Sequence, residues 1–331
     1  MRLRTFMRTG GAAVAAVMLL AACGDPEPAA VPDVASLLTT TTAAPAAPPG
    51  PPPECGDPTA SSRPDPRLPT SGVMPAGTYM REIQDRGRLV VGVSIDTLLF
   101  GSVNPFTGDI EGFDIDILHE ISKALFNGDP DRLEYKAINN AERIPKIQDG
   151  SVDIVARTMT INCARRELVD FSSVYYDAGQ KVLVRADSDA AGIEDLAGQK
   201  VCTSASSTSV ENLRALADPP EITEVVDQTD CLRLFQAGDV AAISTDDVIL
   251  AGFAAQDPNA KIVGARFSDE PYGLAISLDH PEFTQFVNAV LERMRTDGTW
   301  KAIYEKWLGE VYATSQGEGA PIPEPPAATY R

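Results

Sequence analysis

The stretch Leu89-Val90-Val91-Gly92-Val93, followed further on by Asp114-Ile115-Asp116-Ile117-Leu118-His119-Glu120-Ile121-Ser122-Lys123-Ala124-Leu125-Phe126, decides the fold class. The first run is short, apolar and rich in β-branched residues, which predicts a strand. The second places Ile117, Leu118, Ile121 and Leu125 on one helix face and predicts a helix over 114–126, opened by an acidic cap. Strand signals recur at 152–156, 182–184 and 200–202. A long helix is expected over 281–295, with Phe283, Phe286, Val287, Val290, Leu291 and Met294 on one face, and a short one over 300–308 beyond the Asp297-Gly298 turn. This alternation predicts α/β lobes with mainly parallel sheets.

Working outward, the chain starts with Arg2, Arg4 and Arg8, runs through apolar residues from Gly11 to Ala22, and reaches Cys23 through Leu20-Ala21-Ala22. A basic start, a short apolar run and a small-residue cleavage site make an export signal over 1–22. The run is far short of the ~20 residues of a membrane-spanning helix. Leu-Ala-Ala-Cys followed by Gly24 resembles the bacterial lipobox, so Cys23 is expected to carry acyl chains, each buried methylene contributing about 0.8 kcal/mol to membrane attachment. Without 1–22 the formal charge moves from −19 to −22, a surface that repels nucleic acid and anionic lipid heads.

Four further cysteines, Cys55, Cys163, Cys202 and Cys231, are an even number in an exported chain and read as two disulfides, with three possible connectivities. Cys202–Cys231 within one expected lobe, leaving Cys55–Cys163, is the favoured pairing. The first would stabilise by about 3–4 kcal/mol in the chain-entropy description. No Cys-x-x-Cys and no flanking histidine supports a metal site.

Residues 24–75 are crowded with Pro, Ala, Thr and Ser and are expected, with the lipidated Cys23, to form a disordered tether; 313–331 reads as a disordered tail. No phosphate-binding loop, no Gly-x-Ser-x-Gly elbow and no His-Glu-x-x-His is present, and His119 and His280 are placed for structural roles. A hydrolase using a histidine base has little to work with, and no cofactor is called for.

Arg88-Leu89-Val90-Val91-Gly92-Val93, Glu111-Gly112-Phe113-Asp114-Ile115-Asp116, Arg143-Ile144-Pro145, Gly150-Ser151-Val152-Asp153-Ile154-Val155, Asp170-Phe171-Ser172 and Glu270-Pro271-Tyr272-Gly273, in this order, resemble the polar amino-acid solute-binding proteins of ATP-driven importers, solute-binding family 3, of the actinobacterial glutamate/glutamine-binding lipoprotein type. The resemblance runs from about Gly87 to Gly309. It implies a periplasmic-binding-protein-like type II fold: two α/β lobes joined by a two-strand hinge, with lobe 1 at 76–175 and 272–312, lobe 2 at 179–269, and hinges near 176–179 and 270–272.

The same resemblance implies the site. Arg165, in Thr160-Ile161-Asn162-Cys163-Ala164-Arg165, would grip a ligand α-carboxylate, because a guanidinium fork offers two parallel donors to two oxygens. Thr158 and Thr160 would add donors there, although the family usually has Gly where this chain has Thr158. Asp246, with Asp247 beside it, would take the ammonium. Ser207 and Thr208 open a second-lobe helix whose free N–H groups can receive the carboxylate, and a plain helix cap is the alternative use. Arg143 at the Arg-x-Pro motif, with Arg157 nearby, favours glutamate or aspartate over glutamine or asparagine. Asp96 would touch the amine or side chain, and Phe100 or Leu99 would wall the site. The expected molecule is a monomer on the outer face of the cell membrane that binds an amino acid and hands it to the membrane permease of an ABC importer. A sensor signalling to a membrane protein is the alternative, and a prephenate-type dehydratase a more distant one.

Overall fold

The computed structural model describes residues 55–69, 71–316 and 321–331. Cys23, the segment 1–22 and most of the expected tether lie outside these. The described chain sets out α1 (Tyr79–Arg86), β1 (Leu89–Val93) and a small antiparallel sheet of β2 (Asp96–Thr97), β3 (Gly101–Val103) and β4 (Ile110–Glu111). It continues with α2 (Phe113–Leu125), β5 (Leu133–Ala137), α3 (Arg143–Gln148), β6 (Ile154–Ala156), α4 (Cys163–Arg166) and β7 (Asp170–Phe171). A long strand, β8 (Tyr176–Arg185), leads into β9 (Lys200–Ser204), α5 (Thr208–Arg214), β10 (Glu221–Val225), α6 (Gln228–Ala237), β11 (Ala242–Asp246) and α7 (Asp247–Gln256). The chain returns along β12 (Ala260–Tyr272) to β13 (Ala275–Ile276), α8 (Pro281–Asp297) and α9 (Thr299–Gln316).

Two five-stranded sheets result. The first, ordered β5-β1-β6-β13-β7, is the base of lobe 1; the second, ordered β10-β9-β11-β8-β12, is the base of lobe 2. The expectation of mainly parallel sheets needs correcting, since in each sheet two neighbouring pairs are parallel and two antiparallel. The cause is the pair of crossings. The chain enters lobe 2 along β8 and leaves it along β12, so the two run side by side in opposite directions, Tyr176 opposite Tyr272 and Gln180 opposite Ser268.

The helical faces follow the periodicity. Ile117, Leu118, Ile121 and Leu125 on α2, and Phe283, Phe286, Val287, Val290, Leu291 and Met294 on α8, are all buried, each contributing roughly 1.5–3 kcal/mol by removal from water. The start of α2 differs from expectation. Gly112 is its N-terminal boundary with no side-chain cap, and Asp114 sits buried inside the first turn. Gly112 holds φ +144°, and a Cβ there would lie 2.2 Å from the Phe100 carbonyl oxygen, so the position is closed to other residues.

Both expected disulfides are present, Cys55–Cys163 and Cys202–Cys231. The first already departs from a disordered tether over 23–75, and so do the contacts around it. Ser61 is buried, pairs with Tyr330 as a parallel bridge, and donates to the Phe171 carbonyl at 2.6 Å. The disordered tail over 313–331 needs the same correction: α9 runs on to Gln316, Arg295 donates to the Pro326 carbonyl at 2.9 Å, and Arg331 reaches Asp170 at 3.4 Å. Composition counts only what a segment can bury by itself. These segments instead complete lobe 1, where the buried amide of Asn288 needs Ser61 and Ser62 as acceptors.

Candidate ligand cleft between the lobes

Lobe 1 supplies a cationic wall. Asn139 caps a 3₁₀ turn in a reciprocal capping box with Glu142, and α3 then starts with Arg143. Arg143 is 4% exposed, yet its guanidinium meets only carbonyl oxygens: Asn140 at 3.1 Å, Arg157 at 3.4 Å and Ser206 at 3.1 Å. No carboxylate lies within ion-pair distance of it among the described residues. Burial first, then the charges of Arg165 and Arg157, push its pKa well below the ordinary arginine value. Arg165 is aimed by α4, whose cap Asn162 accepts from the Arg165 amide at 2.9 Å; Nη1 donates to the Thr160 carbonyl at 2.7 Å, and the remaining donors are left to the cleft.

Thr158 departs from its expected role. Its φ is +41°, a left-handed conformation rare for a β-branched residue, and its amide is committed to the Asp114 carboxylate at 3.0 Å. That carboxylate also accepts from Tyr175 Oη at 2.6 Å, and burial raises its pKa to about 6. The Thr158 amide is therefore not a donor to a ligand. Gly at this position would adopt the same turn without strain.

The facing wall, from lobe 2 and the hinge, carries carboxyl groups. Asp246 ends β11 and is buried; Tyr272 Oη donates to Oδ2, while Oδ1 is buried with no partner. Burial, followed by the nearby charge of Glu270, raises the Asp246 pKa to about 8. Ser207 is the cap of α5, accepting from the Val210 amide at 3.4 Å and donating to the Ser204 carbonyl at 2.6 Å, so its one proton is spent in folding the turn. Thr160 and Thr208 both donate to Glu270 Oε2, each at 2.6 Å, with their own oxygens 3.3 Å apart. The expectation that the Thr160 hydroxyl donates to a ligand carboxylate fails for this reason, because its one proton is spent.

Arg143, Thr158, Thr160, Arg165, Ser207, Thr208 and Asp246 therefore line one cleft, joined by Asn140, Ser209, Gln228, Thr245 and Ile249. Three expected site residues do not. Phe100 is fully buried in the hinge core, packed on Phe113, Tyr176 and Tyr272 at centroid distances of 5.2–5.9 Å. Arg157 lies behind the cleft, donating to the Ile138 carbonyl at 2.7 Å and to the Asn140 side chain. Asp96 sits 3.8 Å from Arg157 and accepts from the Thr229 amide across the lobes at 3.3 Å. Glu270 and Tyr272 read in the sequence as a hinge motif, and nothing in the sequence marks Gln228, the first residue of α6. A pair of polar residues where β12 crosses between lobes was the available signal.

The lobes are drawn together over the cleft. Asn140 donates to the Ala205 carbonyl at 3.2 Å, Arg143 to that of Ser206, and Thr97 to Gln228 at 2.9 Å, leaving only about 10 Å³ of free volume between the walls. A roomier cavity of about 650 Å³ lies beside the hinge between β8, α7 and α9, but its arginine, Arg266, is already paired with Asp247 at 2.6 Å. The cleft is the better site, since it sets arginines with no carboxylate partner against a buried carboxyl oxygen with no partner at all. No cluster of His, Cys, Asp or Glu among the described residues could hold a metal ion.

Two mixed α/β lobes, joined by two strands and opposing an arginine wall to a carboxylate wall, define a two-lobed small-molecule binding protein. The chain belongs to the bacterial extracellular solute-binding proteins, family 3, whose sequence profile matches residues 89–310. It is 39% identical to the ABC transporter glutamine-binding protein GlnH of Bacillus subtilis, over 69% of this chain and 84% of that one. It is 31% identical to the glutamate-binding protein GluB of Corynebacterium glutamicum, over 68% and 80%. Among solved structures it resembles an ancestral arginine-binding protein bound to glutamine, at 35% identity and a TM-score of 0.63, covering 68% of this chain and 99% of that one.

Proposed function

We propose that the protein is an extracytoplasmic, lipid-anchored receptor that binds a polar amino acid and delivers it to the permease of an ABC importer, without catalysing a reaction on it. The observation that carries this reading is the opposition of Asp246 Oδ1, buried and unpartnered, to the uncommitted donors of Arg165. A buried carboxylate oxygen without a partner is costly, and an α-amino acid supplies an ammonium to it and a carboxylate to the guanidinium. Each lobe holds only half of that ligand, so binding favours the closed arrangement, which a permease can read.

Arg143 gives the reading its side-chain preference. A buried guanidinium whose protein partners are all neutral carbonyls suits a second ligand carboxylate, which favours glutamate or aspartate over the amides glutamine and asparagine. It also disfavours cationic ligands, since Arg143 and Arg165 already oppose each other. Relatives named for glutamine and for glutamate are in keeping with a cleft of this polarity. The lobe boundaries at 76–175 with 272–312 and at 179–269, and acylation of Cys23, belong to the same proposal.

The test is a calorimetric and thermal-shift screen against the twenty amino acids, prephenate and a few sugars. Selective stabilisation by glutamate, aspartate or their amides supports the receptor. Response to prephenate with turnover, or silence from every amino acid, would remove it.

A further inference from the structure

Glu270 lies on β12 where that strand crosses between the lobes, and it is 2% exposed. Its Oε2 accepts from Thr160 Oγ1 and Thr208 Oγ1, both at 2.6 Å; its Oε1 accepts from Asn212 Nδ2 and Ser268 Oγ, both at 2.7 Å. Thr160 belongs to lobe 1, between β6 and α4, while Thr208 and Asn212 belong to α5 of lobe 2. The four hydrogen bonds to this hinge carboxylate thus coexist only when lobe 1, through Thr160, and lobe 2 both reach it.

This arrangement fixes the direction of two hydroxyl protons. A threonine hydroxyl has one proton to give and two lone pairs to offer, and a carboxylate can only accept. With both protons turned towards Glu270, Thr160 and Thr208 present lone pairs to the cleft, beside Asp246. We propose that Glu270 is a positioning residue: by taking both threonine protons it makes Thr160 and Thr208 an acceptor pair for a ligand's ammonium group, and it ties that pair to closure of the lobes. The inference rests on the reading of the cleft as an amino-acid site, and it assigns to a hinge residue the discrimination of an amino from a hydroxyl group.

Glu270→Gln is nearly isosteric but places a donating amide where one oxygen now accepts. Asn212 Nδ2 already donates at the Oε1 position, which favours the amide nitrogen at the Oε2 position; both threonines then lose their acceptor, and a proton turned into the cleft repels an ammonium and welcomes a hydroxyl. Affinities of the purified wild type and E270Q are measured for L-glutamate, L-glutamine and their α-hydroxy analogues. The expected result is that the preference for amino over hydroxy ligand falls about 10-fold or more in E270Q, the size of one hydrogen bond to a charged group. T208V should show a similar loss, and the E270Q/T208V double variant little more than either, since the two act as one unit. Equal weakening of amino and hydroxy ligands in E270Q, or additive losses in the double variant, would overturn the proposal. If the wild type bound no α-amino acid, the amino-acid reading would fall separately. The link across the lobes would then be judged by solution X-ray scattering without ligand: a larger radius of gyration in E270Q supports it, and an unchanged one refutes it. Should E270Q fail to fold, T208V carries both measurements.

Discussion

The two walls of the cleft handle buried charge in opposite ways. On the lobe 1 side, Arg143 and Arg165 are supplied with carbonyl oxygens, which solvate a guanidinium without neutralising it. On the lobe 2 side, Asp246 keeps one carboxylate oxygen bare, and burial and Glu270 drive its pKa up to about 8 instead. An arginine has no accessible neutral form, so its wall must be solvated; a carboxylic acid can wait protonated until a cation arrives. On the proposed reading of the cleft, this contrast suits a zwitterion: the cationic half is held ready, and the carboxyl half would be ionised by the ligand's arrival.

The largest effect should come from breaking the cationic wall. Arg165→Ala removes a bidentate partner with about 1.5–3 kcal/mol in each charge-assisted bond, so affinity for any amino-acid ligand should fall at least about 100-fold. A loss under about tenfold in calorimetry would mean that Arg165 is not the carboxylate anchor. The anionic wall comes next. Asp246→Asn should weaken binding by about 2 kcal/mol, and it should also alter the pH dependence of stability without ligand. Asp246 has a folded-state pKa of about 8, above the ordinary carboxylate value of 3.8, so the folded state holds its proton more tightly than the unfolded chain. Its contribution is fully present below about pH 4 and is lost as pH rises towards 8. D246N should therefore gain stability over the wild type progressively from pH 5 to 8, as followed by thermal melts; parallel curves would show that Asp246 does not titrate in this window. Because an ammonium demands the charged form, ligand binding at pH 7 should release close to one proton, visible as a dependence of the binding heat on buffer ionisation.

The difference between the walls was only partly legible in the sequence. Arg143, Arg165 and Asp246 stand in ordered motifs at strand and helix ends, and such positions are fixed by local signals: the Asn139–Glu142 capping box before Arg143, the Asn162 cap before Arg165, and the end of the short β11 strand at Asp246. Arg157 and Phe100 sit beside the same motifs but face the interior, and a one-residue change of direction along an extended segment cannot be read without knowing what packs behind it. Glu270 escaped because its four partners come from residues 160, 208, 212 and 268, a convergence that exists only after the lobes form. The tails escaped for a related reason, since their order depends on groups of lobe 1 rather than on their own composition.

Arg143 sharpens the comparison at smaller magnitude. Replaced by Ala, it should cost glutamate about 1–2 kcal/mol more than glutamine, because a guanidinium bonds a carboxylate more strongly than an amide oxygen. Equal losses for the two ligands would move Arg143 from specificity to the upkeep of closure, through its bond to the Ser206 carbonyl.

The smallest effect concerns the backbone beneath the cationic wall. Thr158 is held at φ +41° by the bond from its amide to Asp114, a conformation that costs a β-branched residue about 1–3 kcal/mol. Glycine would relieve that strain but would also gain freedom in the unfolded chain, at a cost of about 0.5–1 kcal/mol. The strain is the larger of the two, so Thr158→Gly should stabilise the protein by about 1 kcal/mol, a rise of a few degrees in melting temperature. Affinity should change little, because the amide that turns away from the cleft in the threonine protein turns away in the glycine protein too. A destabilised T158G would show that the threonine side chain contributes packing worth more than the strain it carries, and that the wall depends on this residue's shape as well as its turn.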